Sequence, residues 1–369
     1  MRVSFSSTRV SASIFEPILS HTYLRRTISL SSISIPPATP KLQTPLFLKP
    51  PIYTAALSDL RRWNFWAKTL VNSIGTKFLD TDNGPDSTLL QRELNWLIED
   101  ALDTPNNTLC LMNGNDDEDG KTKVKLRADV EDLYVLWKQR IEERRPFQYI
   151  VGCEHWRDLV LSVQEGVLIP RPETELIVDL VGDAIEKNPK LGQGLWADLG
   201  TGSGALAIGI ARILGNTGRV IATDLSHVAV SVSSFNVNRY NLQDKVTVKL
   251  GSWFEPLEDF KGEVDGLVSN PPYIPSEHLS GLQAEVGRHE PKLALDGGKD
   301  GMDDLLHLCD GAVSMLKPGG FFSFETNGEK HSQFLKEYME NKHESRFFDV
   351  KIVTDFAGVQ RFVTGFRAS

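Results

Sequence analysis

The stretch Leu195-Trp196-Ala197-Asp198-Leu199-Gly200-Thr201-Gly202-Ser203-Gly204, followed by Ala205-Leu206-Ala207-Ile208-Gly209-Ile210-Ala211, reads as strand, glycine loop and helix. The glycines permit a tight turn and let a ligand come close to the backbone. By itself such a loop is weak evidence, because many α/β folds use one as plain turn chemistry. The next apolar run, Arg219-Val220-Ile221-Ala222-Thr223, ends at Asp224. An acidic residue about 20 residues past the loop, at the end of the second strand, is where a ribose is held through its hydroxyls. The loop reads Gly-x-Gly-x-Gly and not G-x-G-x-x-G, which points to an adenosine ligand without a pyrophosphate. S-adenosylmethionine is the candidate cofactor.

Downstream, Val264-Asp265-Gly266-Leu267-Val268-Ser269 runs into Asn270-Pro271-Pro272-Tyr273. Two prolines cannot continue a helix or donate to a sheet ladder, so they force a stiff turn just past a strand. Such a turn holds the Asn side chain, the backbone carbonyls and the Tyr ring in one cluster. Two hydrogen-bond acceptors and a flat aromatic face suit a planar NH2 group, either an amide or the exocyclic amine of a base.

From about residue 176 onward the pattern alternates helix and strand, with strands expected at 195–199, 219–223, 246–250, 264–268, 320–325, 347–353 and 360–366. The last two are close together and are expected to pair antiparallel at the end of the sheet. The rest predict a doubly wound parallel sheet with its ligand at the carboxyl ends of the strands. Gly200, Asp224 and Asn270 each fall just after a predicted strand, on one edge of that sheet.

These segments, with Leu168-Ile169-Pro170-Arg171-Pro172-Glu173-Thr174-Glu175 and Glu290-Pro291-Lys292-Leu293-Ala294-Leu295-Asp296-Gly297-Gly298, resemble the release factor glutamine methyltransferases of the HemK/PrmC type, in the family's order. The Ile-Pro-Arg-Pro-Glu-Thr-Glu segment is the most specific, since methyltransferases in general do not share it. The resemblance covers roughly residues 146–369. It implies a class I S-adenosylmethionine-dependent methyltransferase fold, a Rossmann-like doubly wound sheet with an antiparallel last strand. It implies methyl transfer to the side-chain nitrogen of the glutamine in the Gly-Gly-Gln motif of a class 1 peptide-chain release factor. Two positions depart from the family pattern. His289 stands where Phe usually precedes Glu-Pro, and Glu325-Thr326-Asn327-Gly328 replaces a shorter Glu-x-Gly.

A carboxamide nitrogen is a poor nucleophile, its lone pair being tied up in a resonance whose rotation barrier is about 18–20 kcal/mol. Two hydrogen bonds at roughly 0.5–1.5 kcal/mol each cannot offset that. Placement, which contributes about 7–11 kcal/mol, is the larger resource. The expected roles follow. Asn270 accepts one N–H through its side-chain oxygen and Pro271 accepts the other through its carbonyl. Tyr273 packs on the planar amide, and Pro272 stiffens the turn. For the cofactor, Gly200, Thr201, Gly202, Ser203 and Gly204 shape the loop, Asp198 either orients the methionine end or makes a loop hydrogen bond, and Asp224 takes the ribose hydroxyls. Asn270 adjoins both ligands. Trp253, just after the third strand, reads as core from the residues alone, and the resemblance makes it the adenine-stacking partner. Arg171, Glu173 and Glu175 either shape the substrate entrance or form solvated salt bridges.

The chain has 369 residues, enough for two domains. Its formal net charge is −9, which argues against broad nucleic-acid binding. An adenine-N6 nucleic-acid methyltransferase, which uses a similar Asn/Asp-Pro-Pro-Tyr turn, is therefore the alternative, and direct nucleic-acid contact is not expected. No run of roughly 18 apolar residues predicts a membrane span. Cys110, Cys153 and Cys309 lie far apart without a Cys-x-x-Cys, and the His residues lack metal spacing, so no metal is expected. A binding module that had lost catalysis would show a damaged loop or turn, and neither is damaged.

Residues 1–50 carry four Arg, two Lys and one acid, Glu16, and are crowded with Ser, Thr and, toward the end, Pro. That is the composition of an organelle transit peptide, expected to be disordered, with plastid favoured over mitochondrion by its Ser/Thr content. Residues 51–146 read as a helical domain that docks the protein substrate, with Asn113 to Gly120 an exposed loop. Trp63, Trp66, Trp96 and Trp137 are expected to be mostly core. Residues 147–170 read as a β-hairpin linker with strands at 148–152, 159–163 and 167–169, and residues 171–369 as the catalytic domain.

Overall fold

A computed structural model describes residues 41–103 and 122–369. The expected Asn113–Gly120 loop and most of the expected transit peptide lie outside the described residues. Residues 41–50, counted with that peptide on composition, belong to the folded body. Leu46 is buried in a hydrophobic core, and Gln43 donates to Gln164 Oε1 (2.7 Å) and to the Tyr149 carbonyl (2.9 Å).

Strand β1 (Tyr53–Ala56) leads into helices α1 (Leu57–Ile74), α2 (Lys77–Asp82) and α3 (Ser87–Ala101). The α2–α3 break falls at Asn83, which is left-handed (φ 58°), and α3 starts at Asp86, whose carboxylate accepts from Leu89 N (2.8 Å). Strand β2 (Lys123–Leu126) pairs antiparallel with β1, and α4 (Val130–Lys138) runs on into a π-turn at Gln139–Glu143. Leu60, Trp63, Leu94, Leu97, Leu133 and Trp137 meet in one core. Trp63 and Trp137 are fully buried, and Trp96 is 47% exposed.

Residues Phe147–Val151 form helix α5 where the sequence suggests a strand. Phe147, Tyr149, Ile150 and Val151 are all buried, and a short run that is apolar all round does not distinguish a buried helix from a buried strand. Pro146 before it and left-handed Gly152 (φ 79°) after it set its ends. The hairpin is instead β3 (Cys153–Trp156) with β4 (Leu159–Ser162). Residues 167–169 join no ladder, because Ile169 N donates to Glu290 Oε2 (3.1 Å).

The remaining elements are α6 (Glu175–Lys187), β5 (Leu195–Leu199), α7 (Ala205–Ile213), β6 (Arg219–Asp224), α8 (His227–Arg239), β7 (Val246–Leu250), β8 (Val264–Ser269), α9 (Ala284–His289), α10 (Asp303–Met315), β9 (Leu316–Glu325), α11 (Glu329–Lys342), β10 (Phe347–Thr354) and β11 (Gln360–Arg367). The seven-stranded sheet has the order β10-β11-β9-β8-β5-β6-β7. Strands β9, β8, β5, β6 and β7 are mutually parallel, and β11 enters antiparallel between β9 and β10. One face packs on α6 and α7, the other on α10 and α11.

Register decides what the sheet presents. Leu199 lies beside Thr223 and Ser269, and Ser269 lies beside Phe324. One residue beyond that row stand Gly200, Asp224, Asn270 and Glu325, brought together at the carboxyl edge from four strands.

Candidate active site

A cavity of about 230 Å³ opens at this edge. Gly200, Thr201, Gly202, Ser203, Asp224, Trp253, Asn270 and Pro272 of the expected set line it, as do Asp304 and Thr174. Gly204, Pro271 and Tyr273 of the expected set adjoin lining residues in the chain without lining the cavity themselves. Pro170, Thr174, Pro291 and Leu293 come from the two segments that flank the turn.

The glycine loop needs its glycines. Gly200 (φ 73°) and Gly202 (φ 56°) are left-handed, a backbone that side chains rarely adopt, and the Trp253 indole lies against Gly200. The Asp224 carboxylate accepts from Gly202 N and Ser226 N, both at 2.9 Å, which ties the loop to the end of β6. Ser226, not Asp224, caps α8 by accepting from Ala229 N, so the acid's remaining lone pairs are open to the cavity. Burial raises the Asp224 carboxyl, and the backbone N–H groups of Ser226 and Gly202 oppose that shift. Trp253 holds a left-handed backbone (φ 42°), costly for an aromatic residue, and its indole faces Asp304, whose carboxyl it holds down against the rise that burial causes.

Asp198 is fully buried. Its Oδ2 accepts from the Thr201 hydroxyl (2.6 Å) and from Ala207 N (3.0 Å), while Oδ1 has no partner. Burial pushes this carboxyl up to about 7. A buried acid with one orphaned oxygen behind a glycine loop fits a ligand that brings a cation, as the methionine end of S-adenosylmethionine does. The raised value has a testable sign. The native protein holds more protons than the unfolded chain between about pH 4 and 7, so this group's contribution to stability falls as pH rises through that window. Asp198→Asn removes the slope. Urea unfolding of parent and variant should diverge by about 1.4 kcal/mol per pH unit across it, with the parent losing ground. Parallel curves would refute the assignment.

On the acceptor side, Asn270 Nδ2 donates to Thr174 Oγ1 (3.0 Å), Thr174 Oγ1 donates to Glu325 Oε2 (2.7 Å), and the Tyr273 hydroxyl donates to Glu325 Oε1 (3.0 Å). Glu325 is 1% exposed, and burial pushes it up to about 7. Burial, with the neighbouring Glu325 charge adding to it, drives the Tyr273 phenol well above its ordinary range, so it stays a donor. Sequence reasoning missed Thr174 and Glu325 as site residues, although Thr174 lies in a segment that carries the resemblance and Glu325 opens the stretch that departs from the family pattern.

Arg171 is half-buried, and its partner Glu290 is buried. It donates to Glu290 Oε1 (2.5 Å), whose other oxygen takes Ile169 N, and so fastens the two flanking segments to each other. Glu175 sits away from the cavity, accepting from Arg157 N (2.9 Å). His289 donates to the Glu143 carbonyl (2.9 Å), and Ala284 N donates to Asp82 Oδ2 (3.0 Å), so both ends of α9 are anchored on the helical region. Between them Glu285 accepts from Arg140 (2.9 Å) and Arg144 (2.5 and 2.6 Å), and Arg140 also donates to Glu93 (2.7 and 3.1 Å).

Residues 178–281 match the family model of the ribosomal protein L11 methyltransferase (PrmA). That stretch holds the glycine loop and the Asn-Pro-Pro-Tyr turn, and leaves out Thr174, Glu290 and Glu325. Longer matches come from the release factor glutamine methyltransferases of three cyanobacteria. The Synechocystis protein is 40% identical over 273 residues, 74% of this chain and 88% of that one. Those of Thermosynechococcus vestitus (40% identical; 65% and 81% of the two chains) and Gloeobacter violaceus (42%; 64% and 80%) match over 241 residues each. With a methyltransferase sheet, an intact glycine loop and an intact Asn-Pro-Pro-Tyr turn, the chain belongs to the release factor glutamine methyltransferase family.

Proposed function

We propose that this protein methylates the side-chain amide nitrogen of the glutamine in the Gly-Gly-Gln motif of a class 1 peptide-chain release factor, using S-adenosylmethionine. The carrying observation is that Asn270, with its NH2 end committed to Thr174, opens onto the same cavity as the glycine loop and Asp224. Gly200, Thr201, Gly202, Ser203, Asp224 and Trp253 would hold the cofactor, which supplies an activated methyl group. Asn270 and Pro271 accept the two N–H bonds of the glutamine amide, Tyr273 packs on its plane, and Pro272 keeps the turn stiff. The chain's own contribution is placement and partial polarisation of a weak nucleophile.

The finer reading places the reaction in an organelle, the plastid stroma, with the mitochondrial matrix as alternative. Its support is the acid-poor, Ser- and Arg-containing start of the chain, together with the cyanobacterial relatives. In it residues 51–146 dock the release factor, and no nucleic acid is bound directly. Among the described residues no helix is long and apolar enough to cross a membrane.

The test is label transfer from methyl-labelled S-adenosylmethionine to an intact organellar release factor and, in parallel, to duplex DNA. Label on the release factor, absent from its Gly-Gly-Gln→Gly-Gly-Ala variant, is the expected result. Label on DNA alone would replace the amide reading by adenine-N6 transfer.

A further inference from the structure

Glu325 ends β9 one strand away from Asn270, and the β8–β9 register puts it level with the reacting turn. Its two oxygens are fully used by the Thr174 and Tyr273 hydroxyls. A hydroxyl carries one proton. Once Thr174 gives its proton to Glu325, only lone pairs remain for Asn270, so Asn270 must offer its NH2 end and turn Oδ1 away. The chain of bonds therefore runs in one direction, from Asn270 through Thr174 to Glu325.

We propose that Glu325, acting through the Thr174 hydroxyl, is a positioning residue that sets which end of the Asn270 carboxamide faces the acceptor and holds the Tyr273 ring beside it. A protonated Glu325 would need an acceptor of its own. If its O–H donates to Thr174, the Thr174 proton turns toward Asn270, the amide flips, and an N–H replaces the oxygen that should receive the substrate's N–H. The groups facing Glu325 are Thr174 and Tyr273, with Glu173 on the same segment as Thr174 and Arg361 on β11, itself paired with Asp355 (2.8 Å). Burial is the dominant influence on the carboxyl; the hydrogen bonds from Thr174 and Tyr273, and then Arg361, oppose it, leaving the carboxyl at about 7. Activity should therefore rise with pH through the neutral range.

The inference rests on the amide-methylation reading for its kinetics and on the free enzyme for its geometry, so both are measured on the full chain. Parent, Thr174→Val, Thr174→Ser and Glu325→Gln are assayed with the release factor and labelled S-adenosylmethionine, with cofactor affinity measured by calorimetry. Thr174→Val should lower kcat roughly 10- to 100-fold, the scale of a small misplacement of the reacting groups, while cofactor Kd stays within about 3-fold. Thr174→Ser should restore most of the loss. Glu325→Gln should lose the parent's acidic limb. In parallel, ¹⁵N-asparagine labelling follows the Asn270 side-chain NH2 without any substrate. In the parent it should exchange slowly and titrate near neutrality, and in Thr174→Val it should exchange faster. An active parent whose Thr174→Val variant matches it in kcat, or an Asn270 NH2 indifferent to both substitutions, would overturn the positioning role. A parent that fails on the release factor, with the Asn270 resonance behaving as expected, would sink the glutamine reading and leave the positioning role standing.

Discussion

Asn270→Ala should cut methyl transfer by about 10²- to 10³-fold while cofactor affinity changes less than about 3-fold. The split follows from where the side chain is held. Its backbone is fixed by Pro271 and Pro272 and by the end of β8, so truncation leaves the turn in place. The glycine loop is tied to Asp224 through Gly202 N and does not lean on Asn270. What disappears is a carboxamide whose NH2 end is held by Thr174 and whose oxygen is the proposed acceptor. Such an acceptor matters little to a neutral amide in the ground state. It matters most as positive charge develops on the nitrogen during transfer, when a fixed dipole needs no reorganisation. Calorimetry with S-adenosylmethionine and single-turnover labelling of the release factor separate the two quantities. Equal losses in cofactor affinity and turnover would mean that Asn270 is a cofactor residue only.

The second large effect is on stability. Glu285→Ala should cost about 3–5 kcal/mol, because it removes the carboxylate that the buried Arg140 and Arg144 guanidiniums share. Both arginines are buried, and Glu285 is their shared partner. Glu93 and Asp82 remain, one for each arginine, and they set the lower end of that range. Burial pushes the Glu285 carboxyl up, but Arg144 and Arg140 more than reverse this and leave it below its ordinary value. Its contribution is therefore complete above about pH 4.5 and is lost as pH falls through the lowered native value. Urea unfolding followed by tryptophan fluorescence reads the effect, since Trp63 and Trp137 sit in the adjoining core. Glu285→Gln should fall between parent and alanine. A loss under about 1 kcal/mol for the alanine variant would show that water reaches the cluster.

The sheet is legible because its strands are apolar runs closed by marked residues: Gly200 after β5, Asp224 as the last residue of β6, and the Asn270-Pro271 pair after β8. Each motif is local, so its position relative to a strand can be read without knowing the fold. Residues 148–152 were misread because burial on all sides erases the periodicity that separates helix from strand. Thr174 and Glu325 escaped for a different reason. They are 151 residues apart and meet only through the register of β9 against β8, which no local pattern encodes. For Arg171 the local sequence does not separate an entrance role from a surface salt bridge. Its partner, Glu290, is 119 residues away, and the pairing depends on two loops closing on one another. Asp304 gave no signal beyond its place at the start of α10, and its role comes from facing the Trp253 indole. His289, a departure from the family pattern, found a use the pattern could not suggest, as a donor to the helical region.

The anchoring of α9 has a consequence in time. Glu285 follows Arg140 by 145 residues. A ribosome adding about 5–20 residues per second makes that gap last on the order of 10 s. Throughout it, the helices that will bury two guanidiniums are present without the carboxylate those groups share. The early half of the chain cannot reach its final packing by itself, and its arginines must stay hydrated or find provisional partners. Closure of that contact then waits on the six-residue helix Ala284–His289, and β9 with Glu325 emerges later still, so the reacting centre is completed only after the arginines have their shared partner.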